Sequence, residues 1–284
     1  MADSKIYIKK MRHIAHQAGK VAMAGIDAKA GTHQLKDDDS VLTETDLKIS
    51  SLIKEELAEF LKDPGHILID EEQENREDLF DQAKLEAAPF AWVIDPIDGT
   101  RAFSNGMPLF GISLGLLKDL KPWLGFVYFP ALNEAFFADG QRAVFVRDVF
   151  GANEREYEIG PVDQQLSQQA VFFGHERFFT EFNWDFDLCR VILPACAVID
   201  LCWPAVGRGC GSMFKANLWD MAGSWPIVKA AGMDFRVVET GEVMDRIRTD
   251  LFIGEGIQTW KFKHHYIISS PRNFPFLRKS VLKS

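Results

Sequence analysis

The stretch Trp92–Phe103, reading WVIDPIDGTRAF, constrains this chain more tightly than any other. The apolar run from Phe90 to Ile94 predicts a buried strand. Pro96 removes a backbone donor and pushes Asp95 toward an extended conformation, so the strand is expected to end at Asp95. Asp98 follows in a turn whose Gly99 tolerates unusual backbone angles, and Thr100 can open a helix through Arg101, Ala102 and Phe103. Two carboxylates then converge on one small space, where each raises the cost of ionising the other unless a cation lies between them. Mg2+ suits such a place, because it takes carboxylate and carbonyl oxygens and keeps room for phosphate. Backbone amides of Gly99 and Thr100 at a helix start would favour an anion beside it. Read alone, DPIDGT fits a turn with capping aspartates equally well, and the rest of the chain has to decide.

At 284 residues the chain can form one large domain or two modest ones sharing an interface. A hydrophobic content of 47% with 26% charged residues is that of an ordinary soluble protein. The net charge of -9 argues against duplex nucleic acid as a partner, since that binding needs Lys and Arg to neutralise phosphates. No apolar run reaches the roughly 18 residues of a membrane helix, and MADSKIYIKKMRH lacks the apolar centre of a secretory leader. The expectation is a cytoplasmic protein with no membrane partner. Cys189, Cys196, Cys202 and Cys210 never form a Cys-x-x-Cys pair and read as free buried thiols.

In chain order, apolar residues at helical spacing predict an amphipathic helix over the first two dozen residues. The polar segment from Ala30 to Ser40 reads as a loop. A second helix is expected from Val41 onward, capped by Thr43 or Thr45, with Asp46 in its first turn either complementing the helix dipole or facing the same space as Asp95. Asp63-Pro64-Gly65 is a turn, and the strand after it runs into Asp70, Glu71 and Glu72. Arg76–Ala88 reads as a charged, loosely ordered excursion. Paired strands follow at Phe110–Leu117 and Trp123–Phe129, then at Glu134–Ala138 and Arg142–Val146 about an Asp139-Gly140 hairpin. The charged stretch Gly151–Gln169 suggests a division into an N-terminal half, 1–150, and a C-terminal half, 151–284. In the second half a helix beginning near Trp219 carries Asp220 in its first turn, and Pro226 is expected either to kink that helix or to mark its true start. A last strand is expected at Ile267–Ser270 and a surface helix in the basic tail.

Four acid-bearing stretches, LTETD, DEE, DPIDGT and WDMAG, thus occur in order at strand ends or helix starts. Together they resemble the inositol monophosphatase family of metal-dependent, lithium-sensitive phosphatases, and the similarity runs from about Lys36 to Ser270. The resemblance implies an α/β fold, a layered αβαβα sandwich of the inositol monophosphatase and fructose-1,6-bisphosphatase type, and a homodimer acting on a small-molecule phosphate ester. By position, Glu71, Asp95 and the Ile97 carbonyl would hold one Mg2+, and Asp95, Asp98 and Asp220 a second. Glu71 would help to hold a weak third ion. Asp46 and Thr100 would position the attacking water, and the Gly99 and Thr100 amides would grip the phosphate. The substrate's organic part would lie against Arg101 and the segment Ala195-Cys196, where members acting on inositol phosphate carry Gly followed by Ser or Thr. Ser212–Leu218 also lacks the acid usual before Trp-Asp. Meanwhile FSNGMPLFG, 103–111, looks more like the histidinol-phosphate phosphatase branch. Asp70 stands where Gly is usual and is expected to add negative charge near the metals. His175, beside Glu176 and Arg177, receives no substrate role. Two readings compete: a Mg2+-dependent phosphomonoesterase, or a family member that binds phosphate ligands without turning them over.

Overall fold

The computed structural model describes residues 4–27, 33–35, 41–74 and 76–281. The first helix, α1 (Ser4–Asp27), leads to a small antiparallel pair, β1 (His33–Leu35) and β2 (Val41–Thr43), so part of the segment expected to be a loop is strand. Residues 36–40, with their run of aspartates, lie outside the described residues. Helix α2 (Glu44–Leu61) starts at Thr43, the capping residue of the two expected candidates.

After β3 (His66–Asp70), the charged excursion contains a 3-10 turn and a short helix, α3 (Gln82–Ala87), capped by Asp81. There follow β4 (Phe90–Asp98), α4 (Thr100–Ser104), β5 (Gly111–Lys118), β6 (Lys121–Phe129), β7 (Glu134–Ala138), β8 (Ala143–Arg147) and β9 (Arg155–Ile159). Strands β3 to β9 form a seven-stranded sheet in sequence order, antiparallel except for β3 against β4. The expected division at residue 150 falls inside this sheet, because β9 pairs with β8. Arg155–Ile159 is an edge strand exposed at all but its last residue, and its charged sequence hid it.

The second sheet is built from β10 (Val171–Phe173), β11 (Arg190–Ile192), β12 (Gly211–Phe214), β13 (Asp234–Val237) and β14 (Tyr266–Ser269), in the order β11-β10-β12-β14-β13. Helix α5 (Phe178–Glu181) lies between β10 and β11, and α6 (Ala197–Cys202), α7 (Trp219–Ala222) and α8 (Trp225–Ala230) flank β12. The chain's last helix is α9 (Phe274–Val281). It is more than a surface helix, since Phe274, Leu277 and Val281 are buried against the second sheet with Met213 and Ile267.

Burial separates these elements into five layers. Met11, Ile14 and Ala18 of α1 and Ile49, Ile53 and Leu57 of α2 pack with Trp92, Ile94, Leu114 and Phe126 on one face of the large sheet. On its other face, Ala91 and Val93 meet Trp219, Met221 and Trp225 of α7 and α8, which in turn cover Phe214, Phe235 and Ile268 of the small sheet. Strand β4 therefore alternates between two buried faces, which is why it reads as one continuous apolar run. Helices α5 and α9 close the outer side, giving the αβαβα order.

Helix α7 lies on the large sheet at backbone distance. A Cβ at Gly125 would come within 2.0 Å of the Gly223 carbonyl oxygen, and one at Gly223 within 2.6 Å of the Ser113 hydroxyl. Only glycine permits that approach. Gly223 and Ser224 also separate α7 from α8, so Pro226 falls in the first turn of a fresh helix, where its missing N–H costs nothing. Of the two expectations for Pro226, a kink and a helix start, the start holds, and the helix it opens is separate from the one that carries Asp220.

Candidate active site

The strand carrying the first two acids does not stop at Asp95. It continues to Asp98, but its pairing with β5 shifts: Asp95 lies opposite Ser113 and Asp98 opposite Gly111, so two residues face one between them. Such a bulge accommodates Pro96. It also explains how both acids serve one site. In a regular strand, residues three apart point to opposite faces, and the extra residue brings Asp98 round to the side of Asp95. Gly99 then turns the chain at φ +85°, where a Cβ would lie 2.7 Å from the Leu109 carbonyl oxygen, and α4 begins at Thr100.

Asp220 arrives from the other sheet's side on α7, its Oδ2 accepting the Asn217 amide at 2.6 Å. One carboxylate oxygen each from Asp95, Asp98 and Asp220 lies within 4.8 Å of the others. Glu71, just beyond β3, is held by its amide on the Ile94 carbonyl at 3.3 Å, and its carboxyl group hydrogen-bonds with Asp95. Asp46 is fully buried in the first turn of α2. There Oδ2 accepts the Thr43 amide at 3.0 Å and also the Thr43 hydroxyl, while the Asp46 amide donates back to that hydroxyl at 3.3 Å. This reciprocal cap, of a kind worth about 1 kcal/mol, leaves Oδ1 directed at Thr100, whose hydroxyl lies 3.5 Å away and 2.9 Å from the Ile97 carbonyl. Asp46 thus caps its helix through one carboxylate oxygen and turns the other toward Thr100.

Burial raises the Asp95 carboxyl well above the ordinary range, and the charges of Glu71, Asp98 and Asp220 raise it further. Asp220 is raised by burial and then by Asp98 and Glu71. Burial lifts Asp98 to about 6 against the pull of its own hydrogen-bond donors. The main charged neighbours acting on Asp95 are thus negative, and its buried Oδ1 has no hydrogen-bond partner among the described residues. Buried, mutually repelling carboxylates with an orphaned oxygen fit a hard divalent cation taking oxygen ligands.

Other expected residues lie elsewhere. The Asp70 carboxylate turns away, accepting Ser50 Oγ at 2.5 Å and the Glu72 amide at 3.0 Å and pairing with Lys54 at 3.1 Å. It is not among the largest influences on Asp95, Asp98 or Asp220; adjacent side chains of an extended segment point opposite ways, so Asp70 and Glu71 diverge. Cys196 is buried, with its thiol on the Asp98 carboxylate. Ala195 is exposed at φ +58°, the left-handed conformation a glycine would favour. Arg101 is exposed and forms an ion pair with Glu176 at 2.5 Å. The Val198 amide, a donor to Asp98 Oδ2 at 2.7 Å, carried no side-chain signal in the sequence.

The fold is a layered α/β sandwich with an acidic cluster at the seam between its sheets, and the relatives it matches are named phosphatases, which makes the chain a phosphoric monoester hydrolase. A model of the inositol monophosphatase family matches residues 4–270. The chain is 25% identical over 251 residues to a fructose-1,6-bisphosphatase/inositol-1-monophosphatase of Aquifex aeolicus, covering 84% of this chain and 88% of that one. It is 28% identical over 225 residues to a histidinol-phosphatase of Chlorobaculum parvum, covering 77% and 81%. In fold it is similar to an IMPase of Thermotoga maritima, with a TM-score of 0.71 at 22% identity over 98% of this chain and 97% of the other. The chain belongs to the inositol monophosphatase family.

Proposed function

We propose that the protein is a Mg2+-dependent phosphomonoesterase acting on a small polyol or amino-alcohol phosphate. The observation that carries this reading is the convergence of Asp95, Asp98 and Asp220, from both halves of the chain, on one buried point beside Glu71. Glu71, Asp95 and the Ile97 carbonyl would hold one Mg2+; Asp95, Asp98 and Asp220 a second; Glu71 would contribute to a weaker third. Bound there, Mg2+ would supply positive charge for the phosphoryl oxygens and lower the pKa of an attacking water. Asp46 and Thr100 supply the proton path. The Thr100 hydroxyl donates to the Ile97 carbonyl at 2.9 Å; with that carbonyl engaged by Mg2+, its hydrogen would turn to Asp46 Oδ1, 3.5 Å away, and its oxygen would accept a hydrogen from that water and aim it in line with the leaving group. The Gly99 and Thr100 amides would hold the phosphate, and exposed Arg101 would meet an anionic or hydroxylated substrate once released from Glu176. Reduced negative charge near the substrate end, with no acid in Ser212–Leu218, supports substrates other than myo-inositol phosphate, histidinol phosphate among them.

The reading further takes the enzyme as a cytoplasmic homodimer, which light scattering of the eluting protein tests. Among the described residues no helix is long and apolar enough to cross a membrane. Phosphate release from inositol, sugar, histidinol and nucleotide monophosphates, with and without Mg2+, tests the activity. Turnover that requires Mg2+ and disappears in Asp95→Asn is the expected result. A folded, Mg2+-binding protein with no turnover on any of them would favour the ligand-binding reading.

A further inference from the structure

Away from the carboxylate cluster, three side chains from three elements converge at one end of the small sheet. His175 follows β10, Glu181 ends α5, and His265 precedes β14. His265 Nε2 lies 2.7 Å from Glu181 Oε2, and His175 Nε2 lies 3.9 Å from the same oxygen. One donor atom from each residue falls within 4.8 Å of the other two. The His265–Glu181 contact alone is an ordinary hydrogen bond; it does not account for His175 Nε2, a buried nitrogen with no hydrogen-bond partner among the described residues, turned toward that same carboxylate.

We propose that His175, Glu181 and His265 form a second metal site, holding one borderline divalent ion of the zinc class. Two imidazoles and one carboxylate are donors that zinc takes, with a fourth position left for water. Tetrahedral zinc, with bonds of about 2.0–2.2 Å, places its donors roughly 3.3 Å apart, so side-chain shifts of about an ångström close the site. The surroundings prepare it. Burial holds both imidazoles neutral, His175 at about 4, each with one lone pair; at His265 the proton that Nε2 donates to Glu181 must move to Nδ1 before Nε2 can bind an ion. Glu181 is steadied through Oε1 by Arg177 at 3.1 Å. The two rings stack 5.5 Å apart, and Phe182 packs edge-on against His265 at 4.9 Å. Two features oppose the ion and limit its affinity. Lys215 places positive charge near both rings, and ligation through His175 Nε2 gives up the long 3.3 Å hydrogen bond from the Arg177 amide to Nδ1. His175 adjoins Glu176, the partner of Arg101, so a bound ion would also pin the segment that borders Thr100.

Full-length protein stripped with chelator, saturated with Mg2+ and titrated with Co2+ tests the site, because Co2+ on nitrogen ligands at low coordination number absorbs strongly in the visible. One equivalent of absorbing Co2+ is expected, displaced by Zn2+. Affinity should fall at least tenfold in His175→Gln and in Glu181→Gln and persist in Asp95→Asn. A wild-type protein that develops no visible band overturns the proposal, whatever the folding of the variants. So does a band that survives both substitutions at unchanged affinity or is lost in Asp95→Asn.

Discussion

The Cys196 thiol donates to Asp98 Oδ2 at 2.9 Å, and the Val198 amide donates to the same oxygen at 2.7 Å. Two donors from the C-terminal half thus hold one oxygen of an acid that belongs to the N-terminal half, and the Ala197 amide donates to the same carboxylate. Cys196→Ser, which keeps a donor, should leave stability and Mg2+ response near those of the natural protein. Cys196→Val should cost about 1 kcal/mol in urea unfolding, as expected for one lost hydrogen bond whose acceptor keeps another donor. It should also raise the Mg2+ concentration needed for half-maximal thermal stabilisation.

Raised carboxyl pKa values make the metal-free protein sensitive to pH in a defined direction. Asp98 titrates at about 6 when folded and near 4 when unfolded. Its protonated form favours the fold, so its contribution is fully present below about 4 and lost as pH rises through about 6. Asp95 and Asp220, raised further by burial and mutual repulsion, extend the loss to higher pH. The melting temperature in chelator should fall across this window, and saturating Mg2+ should remove the fall. A metal-free melting temperature that rises through the same window would contradict the charge assignment.

Replacing Asp95 by Asn separates chemistry from folding. Its Oδ1 has no partner in the folded chain, and its charge is opposed by Glu71, Asp98 and Asp220. Phosphate release should drop by about a thousandfold or more, in line with the loss of a principal electrostatic contributor. The metal-free variant should melt at or above the natural protein's temperature while losing most of its Mg2+-induced shift.

Asp70 makes a different demand. It is fully buried and depends on Ser50, the Glu72 amide and the half-exposed Lys54. Lys54→Met should cost about 1–2 kcal/mol, less than breaking a fully buried pair because two hydrogen bonds remain and Lys54 is partly solvated. Its turnover per folded enzyme, measured on the best substrate found, should be unchanged.

Lithium should inhibit turnover by competing where Asp95, Asp98 and Asp220 meet. Raising Mg2+ at fixed lithium tests this through the recovery of rate, and activity indifferent to lithium would separate this enzyme from the lithium-sensitive members it resembles.

Much of the architecture could be read before the fold was known, because local forces set it. Thr43 caps α2 through contacts within four residues, and the apolar run before Asp95 reports burial on both faces of β4. Strand β9 escaped notice because an exposed edge strand carries no apolar signal. The order of the acids DEE, DPIDGT and WDMAG marked the cluster, since each stands where an element ends or begins.

Tertiary structure alone decided how those acids face. The bulge in β4 exists only against β5 and turns Asp98 to the side of Asp95. The close approach at Gly125 and Gly223 seats α7, and Asp220 with it, on the large sheet. Side-chain direction in Asp70-Glu71 sends one carboxylate to Lys54 and the other to Asp95. Sequence determined which residue types stand at which element ends, because capping, turns and periodicity act over a few residues. Their convergence depends on pairings between segments about a hundred residues apart, such as Asp98 with Cys196 and Val198, and such pairings have no expression in local sequence.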